Sequence, residues 1–314
     1  MTRVAVLVER HGEAVAAPTL ETLTLARSLG DVAAVWLGGE PSSAAVAQLG
    51  AHGAAEVRVV EPQVRAAAAA AAALGAATAD ADVLLVTSTF VNKEIVTRLA
   101  LATGAGVVVD AAGAALVDGH VETEQTVFAA TWNVRTRITT ERAIVALRPN
   151  TTQAVAMPDA VVPSVVTVAF EPPTTREAVV AVEAVEASDG VPLAEASVVV
   201  SGGRGTGGDY ALIHELAELL GGAVGASRDA TDEGWISHEH MVGQTGTTVT
   251  PRLYVAAGIS GAVHHRGGMQ ASGTIVAVNL DPDAPIFEIS DFGVVGSLFD
   301  VLPQAIARIR EARA

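Results

Sequence analysis

The side chains that could do chemistry in this sequence gather in its C-terminal third. Arg204 lies in Ser201-Gly202-Gly203-Arg204-Gly205, directly after the β-branched run Val198-Val199-Val200. Ser227-Arg228 follows the short apolar run 223–226. Val242-Gly243-Gln244-Thr245-Gly246, Gly258-Ile259-Ser260-Gly261 and Val276-Ala277-Val278-Asn279 repeat the pattern. Each is a strand end or turn carrying small hydrogen-bonding groups. Loops of this kind at successive strand ends are how α/β folds build sites for nucleotides and related ligands.

Taken singly, each signal also has a plain structural reading. The run Ser201–Gly208 lies between a strand pattern and a helix pattern, where glycines bring backbone N–H groups close to a phosphate. Its spacing is not G-x-G-x-x-G, so a structural turn competes; Arg204 adds a guanidinium suited to phosphate. Ser227 and Arg228 at a strand's carboxyl end point to a ligand crevice, or Arg228 forms a surface ion pair. Gln244 and Thr245 offer an amide and a hydroxyl on what could be a simple turn.

Ser260 reads as the N-cap of a helix, with His264 and His265 in its first turn. Paired histidines raise the question of a metal. Adjacent helix positions point about 100° apart and no acidic ligand stands nearby, which argues against one. Asn279 closes a strand and could hold a ribose or an adenine edge. His11, His52, His120, His214, His238 and His240 stand in polar contexts without ligand spacing. No P-loop, G-x-S-x-G, kinase or zinc signature occurs, and no catalytic group is assigned.

Composition narrows the classes. The formal charge is −16, with 19 basic and 35 acidic residues and no basic cluster, which disfavours nucleic acid. There is no cysteine, so disulfides, thiolate metal sites and Fe–S ligation are excluded. A redox role would therefore need a bound organic cofactor. The apolar run near Met1 is short and lacks a cleavage pattern, so it reads as a first strand. The longest alanine run, Ala66–Ala73, is far below membrane-spanning length. A soluble, cytoplasmic protein is expected.

The elements that must position these residues follow a βα rhythm. Strand runs at 4–8, 32–37, 57–60, 83–86 and 107–109 alternate with helix patterns at 20–29, 44–49, 64–78 and 93–103. This predicts a parallel sheet with helices on its faces. Gly30 and Gly104 stand where left-handed helix caps are expected. Runs at 126–130, 144–147 and 165–170, without long helices between them, read as antiparallel additions; 135–138 reads as an edge strand. Pro, Gly and charge cluster over 171–194, as at a domain boundary. A second α/β unit follows, with strands at 198–200, 223–224, 253–256 and 274–278 and helices at 210–220, 260–268 and 296–312. The expectation is an α/β protein of two domains. Residues 1–187 form a Rossmann-like parallel sheet with antiparallel additions, and residues 188–314 form a doubly wound, ligand-binding domain.

In order and spacing, Ser-Gly-Gly-Arg-Gly, Val-Gly-Ala-Ser-Arg, Val-Gly-Gln-Thr-Gly, Leu-Tyr-Val-Ala-Ala-Gly-Ile-Ser-Gly-Ala-Val-His-His, Ile-Val-Ala-Val-Asn and Asp-Pro-Asp-Ala-Pro-Ile-Phe closely resemble the α subunit of electron transfer flavoprotein, the FixB-like family. The resemblance covers Val198 to Phe299. It continues more loosely through Arg98-Leu99-Ala100, Gly104 and Asp110 in the N-terminal half.

The resemblance implies a heterodimer with a β subunit that contacts the N-terminal domain. It implies one FAD, held mainly by the C-terminal domain, and AMP in the partner. Electrons would come from soluble dehydrogenases, such as the acyl-CoA dehydrogenases of fatty acid β-oxidation, and leave to a membrane quinone oxidoreductase. The chain would be a carrier without a turnover site of its own. An electron-bifurcating flavoprotein subunit and a non-redox nucleotide-binding module are the alternatives.

Carried over by position, Arg204 falls near the ring or pyrophosphate, Ser227 near phosphate or ribityl oxygens, and Arg228 at the isoalloxazine. Val242, Gly243, Gln244 and Thr245 border the ring, with the Thr245 hydroxyl near N5. The turn of Ser260, Gly261, Ala262, Val263, His264 and His265 cradles phosphate and ribityl groups, with His265 reaching the C2 carbonyl. Asn279, Ser297 and Leu298 take the adenosine end. Arg228, His265 and the helix N-terminus would stabilise negative charge on a reduced ring.

Three departures stand out. Ser297 replaces a frequent Asp, and His264 replaces a usual Gln. Ala129-Ala130-Thr131-Trp132-Asn133-Val134 replaces an Ala-Gly-Asn-Ala run.

Overall fold

A computed structural model describes residues 1–61, 66–128, 130–174, 180–181 and 190–313. The chain divides into two compact units, residues 1–126 with 133–185, and residues 127–132 with 186–314. The helix start expected at Val64, residues 175–179 and 182–189 of the expected boundary segment, the division between 187 and 188, and Ala129 lie outside the described residues.

The first unit holds a nine-stranded sheet. From edge to edge its strands are Ser164–Thr167, Ala54–Val60, Asp31–Leu37, Arg3–Leu7, Val83–Thr87, Ala143–Leu147, Gly106–Val117, His120–Val127 and Trp132–Arg137. The first seven are parallel neighbours. Alternation explains the layers: Val4 and Val6 join one core, Ala5 and Leu7 the other. Ala17–Ala26 and Ser43–Ala51 supply apolar side chains to the first face, and Ala67–Ala77 and Phe90–Thr103 to the second. A sheet covered on both faces explains why these strands read as continuous apolar runs.

The antiparallel expectation holds for one hairpin, Gly106–Val117 with His120–Val127, and Trp132–Arg137 is the edge strand. It does not hold for the other two runs. Ala143–Leu147 is inserted, fully buried, between two parallel neighbours. Ser164–Thr167 pairs in parallel with Ala54–Val60 at the opposite edge. Spacing along the chain concealed both, because the hairpin intervenes without a helix. The run at 126–130 stops at Val127, since Phe128 and Ala130 take positive φ angles of 53° and 61°.

Gly104 caps its helix in the left-handed conformation at φ 71°. Gly30 does not; a side chain there would collide with the carbonyl of Thr2, so its role is close approach.

The second unit holds a five-stranded parallel sheet in the order Ala223–Ala226, Val198–Gly202, Leu253–Ala257, Thr274–Asn279, Phe292–Val295. The last strand escaped the sequence reading because it is mostly exposed and interrupted by Gly293. Ala211–Leu220 and Leu298–Arg313 bury Ile213, Leu216, Leu302 and Ile306 against one face. Met269 of helix Val263–Met269, with Ile259 and Ile286, covers the other. The register aligns Gly202 with Ala226 and Ala257, and Ala257 with Val278. All the loops that follow these residues therefore leave the same end of the sheet. The chain adds one strand to the left of Val198–Gly202 and the next to its right, so the order reverses there. That is where α/β sheets bind ligands.

Candidate functional site

A cleft of about 380 Å³ opens at that end, within the roughly 300–1,000 Å³ of small-molecule sites. Of the residues expected to form a site, Arg204, Ser227, Arg228, Val242, Gly243, Thr245, Ser260, Ala262, His264, His265 and Asn279 line it. Gln244, Gly261, Val263, Ser297 and Leu298 do not.

The first loop turns tightly after Gly202. Arg204–Thr206 form one 3-10 turn, closed by Gly207 at φ 58°. The N–H groups of Gly203 and Gly205 donate to Ala257 O and Gly258 O, that of Thr206 to Gly203 O, and that of Gly207 to Arg204 O. The glycines thus serve loop-to-loop packing, since side chains on Gly203 or Gly205 would collide with Gly258. These four donors are committed within the protein, as in a structural turn. Arg204 extends from it and pairs with Asp229 at 3.3 Å.

Ser227 caps the short helix Arg228–Asp232 by position, yet its side chain makes no cap bond. Its Oγ is buried without a partner. Arg228 pairs with Asp232 one turn on, at 3.2 Å, so the ion-pair reading holds while the residue still borders the cleft. Val242 donates to Ala226 O, which pins the third loop beside the second. Gly267 and Gly268 let that loop rest on helix Val263–Met269: a Cβ on Gly267 would stand 2.6 Å from Gln244 Nε2. Gln244 is occupied there, its N–H donating to His264 O. Thr245 is exposed beside it.

The fourth loop differs from the first. Among the described residues, no hydrogen bond uses the backbone N–H of Ser260, Gly261, Ala262, Val263 or His264. The helix begins later than expected: Ala262, not Ser260, is its N-cap. The Ser260 carbonyl instead accepts from Ile286 N, 3.0 Å away, and Gly261 packs on Ile286. Val263 projects outward.

His265 is buried, and its Nε2 lies 2.9 Å from the hydroxyl of Tyr254. Its Nδ1 makes no hydrogen bond. Burial pushes its pKa down to about 4, so it is neutral at pH 7. Desolvation outweighs any attraction, and the ring offers a dipole rather than a charge.

Asn279 holds two loops together: its Nδ2 donates to Ile259 O and its Oδ1 accepts from Asp281 N. Ser297 sits at the start of the last helix. Its Oγ accepts from Phe299 N and its carbonyl from Asp300 and Val301. Leu298 is core, packed with Leu302 and Ile306. Gly205, Asp229, Met241, Gly258, Ile259, Asp281, Ala284 and Pro285 complete the lining beyond the expected set. Their position just past strand ends was the available signal. Among the described residues, no cluster of His, Asp and Glu could hold a metal ion, and no helix is long and apolar enough to cross a membrane.

Comparison with known proteins bears on both units. The family model described as the electron transfer flavoprotein domain matches residues 4–190. The one described as the electron transfer flavoprotein FAD-binding domain matches residues 192–270. The electron transfer flavoprotein subunit alpha of Mycobacterium leprae is 40% identical over 313 residues, 97% of each chain. Its counterpart in Mycobacterium tuberculosis H37Rv is 41% identical over 335 residues, 99% of each chain. Protein FixB of Clostridium saccharobutylicum is 49% identical over 125 residues, 39% of this chain and 37% of its own. With a family match across more than half of the chain and relatives that span nearly all of it, the chain belongs to the electron transfer flavoprotein α-subunit family, and its C-terminal domain is an FAD-binding domain.

Proposed function

We propose that the cleft at the carboxyl end of the five-stranded sheet holds FAD within a domain spanning residues 188–314. In this reading the chain is the α subunit of an electron carrier with no substrate-turnover site of its own. One observation carries it. Five consecutive free N–H groups, from Ser260 to His264, meet two buried and unpartnered polar atoms, Ser227 Oγ and His265 Nδ1, around one cleft. Buried polar groups normally have partners, so this set fits a ligand rich in acceptors.

The residues fit FAD by chemistry. The N–H groups of 260–264 and the Ser227 hydroxyl suit phosphate and ribityl oxygens. Arg204 and Arg228 supply cations at the rim, softened by Asp229 and Asp232. Thr245, Val242, Gly243 and His265 suit the ring. When bound, FAD supplies the electron chemistry; the chain supplies binding, orientation and electrostatics. Asn279 acts by holding the loops of Ile259 and Asp281 in register.

The partner in this reading is a β subunit carrying AMP. Electrons enter from soluble dehydrogenases, including acyl-CoA dehydrogenases, and leave to a membrane quinone oxidoreductase, in the cytoplasm and at its membrane face. The test is co-expression with the β subunit, followed by identification of the nucleotides released on denaturation. One FAD and one AMP per heterodimer is expected. Two FAD molecules overturn the simple carrier in favour of a bifurcating pair, and no FAD overturns the placement of the site.

A further inference from the structure

The strand ends of the second sheet carry their charged groups in order. Ala223–Ala226, Val198–Gly202, Leu253–Ala257 and Thr274–Asn279 lie side by side. Arg228 follows the first and Arg204 the second. The N–H groups of 260–264, uncommitted among the described residues, follow the third, and Asp281 follows the fourth. Arg204, Arg228, Ser260 and Asp281 border one cleft. At about 4.8 Å per strand, Arg228 and Asp281 issue from strands about 14 Å apart. Cations and free donors thus hold one part of the cleft, and a carboxylate holds the other end.

Asp229, the other acidic residue of the lining, is paired with Arg204. Asp281 has no ion pair among the described residues. Its position is fixed from three sides. The Asp281 N–H donates to Asn279 Oδ1 at 3.0 Å, the carbonyl accepts from Ala284 N at 3.2 Å, and Oδ1 accepts from Asp283 N at 3.0 Å. Pro282 stiffens the turn that follows. Oδ2 and a second lone pair on Oδ1 remain to accept hydrogen bonds. A carboxylate held in this way binds a donor without a further ordering cost. Asn279, tied to the loops on both sides, is its polar neighbour in the lining, while Ser297 and Leu298 stand outside it. Like charge keeps a phosphate away from Asp281. The group that meets it is therefore neutral and rich in donors.

We propose that Asp281 is a specificity residue that reads the adenosine ribose of FAD, its carboxylate accepting from the vicinal hydroxyls. This rests on FAD occupying the cleft as proposed above. A diol offers two adjacent neutral donors to the two oxygens of a carboxylate, and an ionised acceptor binds them about twice as strongly as a neutral one. Acidic side chains past strand ends take ribose hydroxyls in other dinucleotide-binding sheets. The same charge sets the direction of the dinucleotide, with its pyrophosphate toward the N–H groups of 260–264 and its ring toward Arg228. The adenine amino group is the other neutral donor of the ligand, and the experiment separates it from the ribose.

The experiment is calorimetric titration of the heterodimer, freed of FAD, with FAD, its 2′,3′-dideoxyadenosine analogue and its hypoxanthine analogue, which lacks the amino group. Wild-type protein is expected to prefer FAD over the dideoxy analogue by roughly tenfold or more. Asp281→Asn keeps an acceptor for Asp283 N but loses the charge, and its preference should fall to about threefold. Asp281→Ala should abolish the preference and leave discrimination against the hypoxanthine analogue as in wild type. Equal wild-type affinity for FAD and the dideoxy analogue overturns the proposal, whether or not the variants fold. An undiminished preference in Asp281→Ala overturns it as well. A loss of discrimination against the hypoxanthine analogue alone assigns the carboxylate to adenine and also overturns it. Wild-type protein that takes up no FAD shows instead that the site reading has failed.

Discussion

A Cβ placed on Gly205 would stand 2.6 Å from Gly258 Cα, so two loops of the cleft touch backbone to backbone. Gly205 also donates its N–H to Gly258 O at 2.9 Å. The contact joins the loop that carries Arg204 to the loop that carries Ser260, and it sets the floor between them. Gly205→Ala is expected to cost about 1–3 kcal/mol, as overpacking does, and to lower FAD content. Gly207→Ala is the control, because a Cβ there meets nothing within 4 Å at φ +58°. It should cost about 1–2 kcal/mol through backbone strain alone and leave FAD content unchanged. Urea unfolding and absorbance of bound flavin check both. Equal FAD content in the two variants would show that the loop contact does not shape the site.

Burial of His265 has a pH signature. Its pKa is near 4 in the folded chain against 6.5 for a free imidazole. Between those values the unfolded chain binds more protons, so folding stability rises with pH there. The contribution is complete above pH 6.5 and is lost as pH falls toward 4. At 1.36 kcal/mol per unit it amounts to about 3 kcal/mol. His265→Phe should lower stability at pH 7 and flatten the dependence between pH 6.5 and 4. Urea midpoints of wild type and variant across that range test it; parallel curves would assign the slope to other groups.

Asp229 partly neutralises Arg204 at the rim of the cleft. Both side chains are more than half exposed, so the pair contributes less than about 1 kcal/mol to stability. Asp229→Ala is therefore expected to leave the unfolding midpoint nearly unchanged. Removing a negative charge beside the cofactor should raise the FAD potential, on the order of 40 mV for about 1 kcal/mol of screened interaction. The shift should shrink at high salt. Potentiometric titration at two ionic strengths checks it, and a negative or salt-independent shift would exclude an electrostatic origin.

Ser297 caps the last helix through its hydrogen bonds. Ser297→Ala is expected to cost about 1 kcal/mol of stability while FAD affinity stays within a factor of about two. Ser297→Asp should keep the cap, since Asp serves equally well at that position. Isothermal titration with FAD, alongside urea unfolding, distinguishes capping from cofactor contact. A large loss of affinity in Ser297→Ala would place the hydroxyl on the ligand.

The sequence by itself determined what depends on short-range pattern. The βα rhythm, the left-handed cap at Gly104, the strands expected at 198–200, 223–224, 253–256 and 274–278, and their polar ends were legible because residue period and glycine placement are local properties. The order of motifs from Ser201 to Asn279 placed the chain in its family, and family models and near full-length relatives agree. Only the tertiary structure decided how those pieces compete for one another. Strand order is not written along the chain, so the central, parallel place of Ala143–Leu147 and the edge strand Phe292–Val295 were hidden. Hydrogen-bond commitment is not local either. Gly203, Gly205, Thr206 and Gly207 spend their donors on Ala257, Gly258 and their own loop, whereas the loop at 260–264 keeps its donors free among the described residues. The charge of His265 follows from burial beside Tyr254, eleven residues away in sequence and one hydrogen bond away in space.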